Sequence, residues 1–301
     1  MLLAFCGSAM GCVPAHPPPS IASQSAAAEP VALPPGVTLQ TDLAYGPDAR
    51  HRMDVYRPDR PSGPILLMVH GGGWRHGHKA MPLVIDGKLQ HFVARQGWIL
   101  VSTDYRLAPA ARPGQQAQDV ARALALVQHM APAWGGDADA VVLMGHSAGG
   151  HLVALASASE AIRQAAGARG WLASVVLDGA AFDPVALMHG RHLPLYDQAF
   201  GPQPADWREA SPTAALSASS KPIPLLLVCS LPRPDDACEE SRRFAQRVGA
   251  VGGRAEVFPT PLTHRAVNAE LGKDLRYTGV IEDFLRSVTA ARKRTSSADG
   301  E

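Results

Sequence analysis

The chain has 301 residues, 46% hydrophobic and 18% charged, which suits one large domain around a buried sheet and is short for two. The formal net charge is +1 and no basic run falls on a predicted helix face, so the electrostatic footprint of a nucleic-acid partner is missing. Beyond the N-terminus the apolar runs are strand-sized, well short of the roughly 20 residues that a bilayer crossing takes.

Residues 1–12 are apolar and small, and residues 13–36 form a Pro/Ala/Ser-rich stretch unable to build a packed element. Together they predict an export signal and a linker, hence a periplasmic protein. Ala9-Met10-Gly11-Cys12 is similar to a bacterial lipobox, with Ala9 where Leu is usual. Two alternatives stand: membrane attachment through a lipidated Cys12, or a plain secretory signal.

The main domain is expected over 37–293. Val37 to Tyr45 and Arg52 to Tyr56 predict an antiparallel pair joined by a Gly46-Pro47-Asp48 turn. Ile65 to His70, Trp98 to Thr103, Val141 to Gly145, Ser174 to Leu177, Leu225 to Cys229 and Ala255 to Phe258 read as buried, mostly parallel strands. Helical stripes lie between or after them, at Gln115 to Met130, Ser241 to Val251 and Gly279 to Arg292. Residues 183–221 break this alternation with repeated prolines and predict a small cap-like insertion, and 294–301 read as a tail. Cys229 and Cys238 could bridge the loop between them in an oxidising compartment or remain free thiols. Their spacing fits neither a zinc site nor a CxxC motif.

Gly145-His146-Ser147-Ala148-Gly149 matches G-x-S-x-G between an apolar strand and a helical run of small residues. That context predicts a sharp turn holding Ser147 at a helix N-terminus as a nucleophile, with glycines where backbone crowds the turn. His70-Gly71-Gly72-Gly73-Trp74 follows another strand, and its glycines would let backbone N–H groups reach an oxyanion. Gly72, Gly73 and the N–H of Ala148 are the expected oxyanion-hole donors.

With Asp104 to Pro109 (DYRLAP), Gly145 to Leu152 (GHSAGGHL) and Ala210-Ser211-Pro212, these motifs make the chain resemble the α/β-hydrolase serine esterases from Tyr45 to about Leu285. The likeness is to the compact carboxylesterase, or BD-FAE-like, branch. His146 stands where the hormone-sensitive-lipase-like branch usually has Asp, and no N-terminal helical cap is evident. The resemblance implies an α/β-hydrolase fold, a mostly parallel eight-stranded sheet flanked by helices. It also implies a Ser, acid, His order for the triad. The base is then expected after the last strand, where His264 is the only histidine beyond the acid loop. The acid is expected after Leu225 to Cys229, at Asp236, with Asp235 as the alternative. Asp104 is expected to be structural.

The expected activity is hydrolysis of small carboxylic esters through an acyl-enzyme, with no cofactor and no metal. His70, His76 and His78, or His189 and His192, lack carboxylates at ligand spacing, and HExxH does not occur. Competing readings are amide chemistry on the same residues (arylformamidase, amidase or peptidase) and a non-catalytic binding protein of this fold. Phe182, Tyr196, Phe200 and Trp207 are the aromatic candidates for lining an acyl pocket.

Overall fold

The computed structural model describes residues 31–217 and 221–298. The expected signal and most of the expected linker lie outside the described residues, as does the end of the tail. Among the described residues eight strands form one sheet: β1 (Val37–Ala44), β2 (Arg52–Pro58), β3 (Ile65–Val69), β4 (Ile99–Thr103), β5 (Val141–His146), β6 (Ala173–Leu177), β7 (Leu225–Ser230) and β8 (Ala255–Thr260). Their order across the sheet is β1-β2-β4-β3-β5-β6-β7-β8. β2 runs antiparallel to β1 and β4, and the remaining pairs are parallel. β3 to β7 are buried along their length, which is why they read as unbroken Val/Ile/Leu runs with no polar alternation.

Helices cover both faces: α1 (Pro82–Lys88), continued by a π-helical turn over Leu89–Arg95, α2 (Pro113–Met130), α3 (Ala148–Ala158), α4 (Glu160–Ala166), α9 (Ala237–Ala250), α10 (His264–Ala269) and α11 (Leu275–Ala298). α2 and α3 pack with the β6–β7 connection on one face. α1, α10 and α11 pack on the other. No described helix is long and apolar enough to cross a membrane.

The 183–221 segment holds four short helices, α5 (Pro184–His189), α6 (Pro194–Phe200), α7 (Pro204–Glu209) and α8 (Pro212–Ala215). Proline opens each of them, at the position where its missing N–H costs nothing and its φ is already helical. Phe182, Tyr196, Phe200 and Trp207 are all buried in the core, and Phe182 also borders a cavity with Phe244, Asp235 and Glu240. Phe182 stacks on Phe244, Phe200 meets Trp74 and His151 edge-on, and the Trp207 indole N–H donates to Gly201 O.

Candidate active site

The parallel sheet brings the C-terminal ends of five strands side by side, the position where this architecture builds its sites. In register, Val69 lies beside Gly145, His146 beside Leu177, Leu177 beside Val228, and Ser230 beside Thr260. The segments leaving these ends are therefore neighbours: the glycine loop after β3, Ser147 after β5, Asp178 after β6, Ser230 to Asp236 after β7 and His264 after β8.

Ser147 sits between β5 and α3 with φ 56° and ψ −122°, a conformation L-residues rarely adopt. Strain of this kind persists only where the surroundings force it. A Cβ on Gly145 would lie 2.3 Å from Gly149 O, and one on Gly149 would lie 2.4 Å from both Val69 O and His70 O. Backbone on both sides leaves no room for a side chain at either position.

Ser147 Oγ is 3.0 Å from His264 Nε2, and His264 Nδ1 is 2.5 Å from Asp178 Oδ2. Asp178 is fully buried, whereas the His264 ring is 42% exposed and open to an incoming molecule. Asp178 Oδ1 accepts the Ser230 N–H at 2.8 Å, and the bond to His264 and the Arg233 guanidinium hold its carboxyl below the usual range against the effect of burial. An ionised Asp178 fixes the proton on Nδ1 and leaves the Nε2 lone pair facing Ser147.

This arrangement corrects the expected acid. His264 is met by Asp178 at the end of β6, and not by Asp236 or Asp235 from the loop after β7. Asp235 faces Arg233, which binds it through Nε at 2.9 Å and Nη2 at 2.5 Å. Asp236 takes a left-handed backbone at the N-cap of α9, without a side-chain cap. The signal for Asp178 was present in the sequence, as a carboxylate directly after the apolar run Ser174 to Leu177, at the same strand-end position as His70 and Ser147.

The glycine loop is held from behind. The Tyr105 hydroxyl donates to His70 O at 3.0 Å, the Ala108 N–H to Trp74 O at 2.9 Å, and Gln116 Nε2 also donates to Trp74 O at 2.9 Å. Asp104 accepts the Lys79 N–H at 2.8 Å and lies 3.3 Å from His70 Nε2, a structural place. Gly72 has φ 121°, and a Cβ there would sit 2.1 Å from His76 O. Among the described residues the Gly72 and Gly73 N–H groups have no acceptor, and the Ala148 N–H is a first-turn donor of α3 without an intrahelical partner. Leu195 of α6 overhangs this loop, 3.7 Å from where a Cβ on Gly73 would be.

Two further histidines brace the site. His146 Nε2 donates to His264 O at 2.8 Å, its ring 4.7 Å from that of His264, and burial pushes it down to about 3, so it is neutral. His151 accepts the Trp74 indole N–H at 3.1 Å and donates to Ala210 O at 2.8 Å, which ties α3, the glycine loop and the Ala210-Ser211-Pro212 motif together. Cys229 and Cys238 are bonded, closing the loop after β7. Among the described residues no group of His, Cys, Asp and Glu is placed to hold a metal ion.

Residues 53–179 match the BD-FAE family model. The chain is 27% identical over 237 residues to isoprenylcysteine alpha-carbonyl methylesterase ICME of Arabidopsis thaliana, covering 73% of this chain and 54% of the relative. It is 40% identical over 119 residues to esterase LipC of Mycobacterium tuberculosis, covering 38% of this chain and 28% of the relative. The matched region thus spans about half, or less, of the length of these curated relatives. Among solved structures, esterase B from Lactobacillus Rhamnosis superposes with a TM-score of 0.71 at 21% identity, over 90% of each chain. That likeness carries the fold.

Proposed function

For a chain that is an α/β-hydrolase by fold and by its BD-FAE match, we propose hydrolysis of small carboxylic esters through an acyl-enzyme on Ser147. The observation that carries the reading is the unbroken line from Ser147 Oγ to His264 Nε2 and from His264 Nδ1 to Asp178. His264 takes the hydroxyl proton as Ser147 Oγ attacks the ester carbonyl carbon, and Asp178 stabilises the imidazolium without accepting its proton. The carbonyl oxygen, now anionic, is received by the N–H groups of Gly72, Gly73 and Ala148, each such donor being worth about 3 kcal/mol in the transition state. Collapse expels the alkoxide, which takes the proton from His264. Water activated by the same imidazole then releases the acid from Ser147.

The matched relatives named as esterases and methylesterases support an ester, with a small alcohol as leaving group, over an amide. Export to the periplasm, through either a plain secretory signal or a signal with lipid attachment at Cys12, belongs to the same proposal. It is supported by the Cys229–Cys238 bond, which an oxidising compartment favours. The test is covalent labelling with a fluorophosphonate: one adduct on the Ser147 peptide and none in Ser147→Ala, together with loss of hydrolysis of p-nitrophenyl acetate. A labelled and active Ser147→Ala protein would refute the reading.

A further inference from the structure

The loop after β7, where the acid was expected, delivers a cation to the acid's back. Arg233 is buried to 13% side-chain exposure between two carboxylates. Its Nε and Nη2 form a fork on Asp235, while Nη1 donates to Asp178 O at 3.1 Å and approaches Gly179 O at 3.4 Å. The same Nη1 is 3.4 Å from Asp178 Oδ2, the oxygen that meets His264. The loop bearing Arg233 is closed by the Cys229–Cys238 bond, and its first residue, Ser230, holds the other Asp178 oxygen.

We propose that Arg233, clamped by Asp235, is a positioning residue that sets the orientation and effective charge of the Asp178 carboxylate behind His264. The inference rests on the Ser147–His264–Asp178 reading above. Asp178, Arg233 and Asp235 together present one net negative charge to the imidazole. Removing the cation leaves two negative charges, which favour the imidazolium; removing Asp235 leaves none, which disfavours it. Backbone bonds to Asp178 and Gly179 keep the guanidinium in place when Asp235 is lost.

The other groups around this cluster do not supply the effect. His146, packed on His264 from β5, is kept neutral by burial, and Lys88 acts on it from α1. Tyr196 of α6 is pushed up to about 12 by burial, with Glu240 and Asp235 adding to it and Arg233 opposing, and Tyr277 of α11 is pushed higher still by burial and, to a smaller extent, by Asp178. Glu240 of α9 accepts the Phe182 N–H at 2.7 Å, with burial raising its carboxyl, and is common to every variant compared.

The experiment is the pH dependence of kcat/KM for p-nitrophenyl acetate in full-length wild type, Arg233→Gln, Asp235→Asn, the double variant and Arg233→Lys. The midpoint of the acid limb should rise by about one pH unit in Arg233→Gln and fall by about half a unit in Asp235→Asn. It should return toward wild type in the double variant. Arg233→Lys, which keeps the charge and loses the fork, should keep the midpoint with a lower kcat. A disturbed fold alone would lower kcat without opposite shifts. Unchanged midpoints in both single variants, with Ser147→Ala inactive, overturn the role of Arg233 alone; hydrolysis persisting in Ser147→Ala overturns the triad and this role with it.

Discussion

Lys88 shows how one residue can brace the site from a distance. Its ammonium is buried at the end of α1 and donates to Asn268 O at 3.1 Å and Asn268 Oδ1 at 2.7 Å, near the end of the short helix that begins with His264. Burial pushes it down to about 7, with a smaller push in the same direction from Lys273 and an opposing one from Asp86. The sign of the stability effect follows from which state holds the proton. Between about pH 7 and the ordinary lysine range near 10.4, the unfolded chain keeps a proton that the folded chain has lost, so stability rises with pH there. Relative to Lys88→Met, which lacks this slope, wild type should gain about 2 kcal/mol from pH 7 to pH 9. Urea unfolding of both proteins at the two pH values measures it; parallel changes would mean that Lys88 is already ionised at pH 9.

At the scale of elements, the four proline-opened helices α5 to α8 form the segment that brings Leu195 of α6 over the glycine loop. None exceeds seven residues, so the segment cannot act as a long amphipathic helix that swings open on a lipid surface. α6 is fixed by Tyr196 and Phe200 against Trp74, and it sets Leu195 over the glycine loop. A fixed wall bounds the acyl chain. Rates on p-nitrophenyl esters from two to sixteen carbons should peak at acetyl to butyryl and show no jump when the substrate passes from monomer to emulsion. A maximum at long chains would mean that the wall moves. The prolines in 183–221 foretold the break in the helix, but nothing in the sequence distinguished Phe200, which packs under Trp74, from Leu195, which faces outward. That choice is made by the angle at which α6 crosses the glycine loop, a tertiary fact.

Across the whole molecule, the legible parts were those whose signal is local. The five strands β3 to β7 are continuous apolar runs buried along their length, and each was recognisable as such; β8, expected to be buried as well, is the half-exposed edge strand, because no further strand covers its outer side. Ser147 and the glycine loop were legible because their backbone geometry demands glycine at named positions. The acid was not, because its assignment depends on which of two neighbouring strand ends points at His264, and both β6 and β7 are followed by Asp residues. The sheet resolves this by giving Asp178 to the imidazole and turning the β7 loop, through Arg233 and Ser230, into its support.

The most direct measurement of the central claim is kcat for ester hydrolysis in Asp178→Asn beside Asp236→Asn. An asparagine at 178 would donate where the imidazole needs an acceptor, so kcat should fall by about 10⁴-fold, while Asp236→Asn stays within a few-fold of wild type. The reverse ranking, or an Asp178→Asn enzyme of near wild-type turnover, would contradict the account.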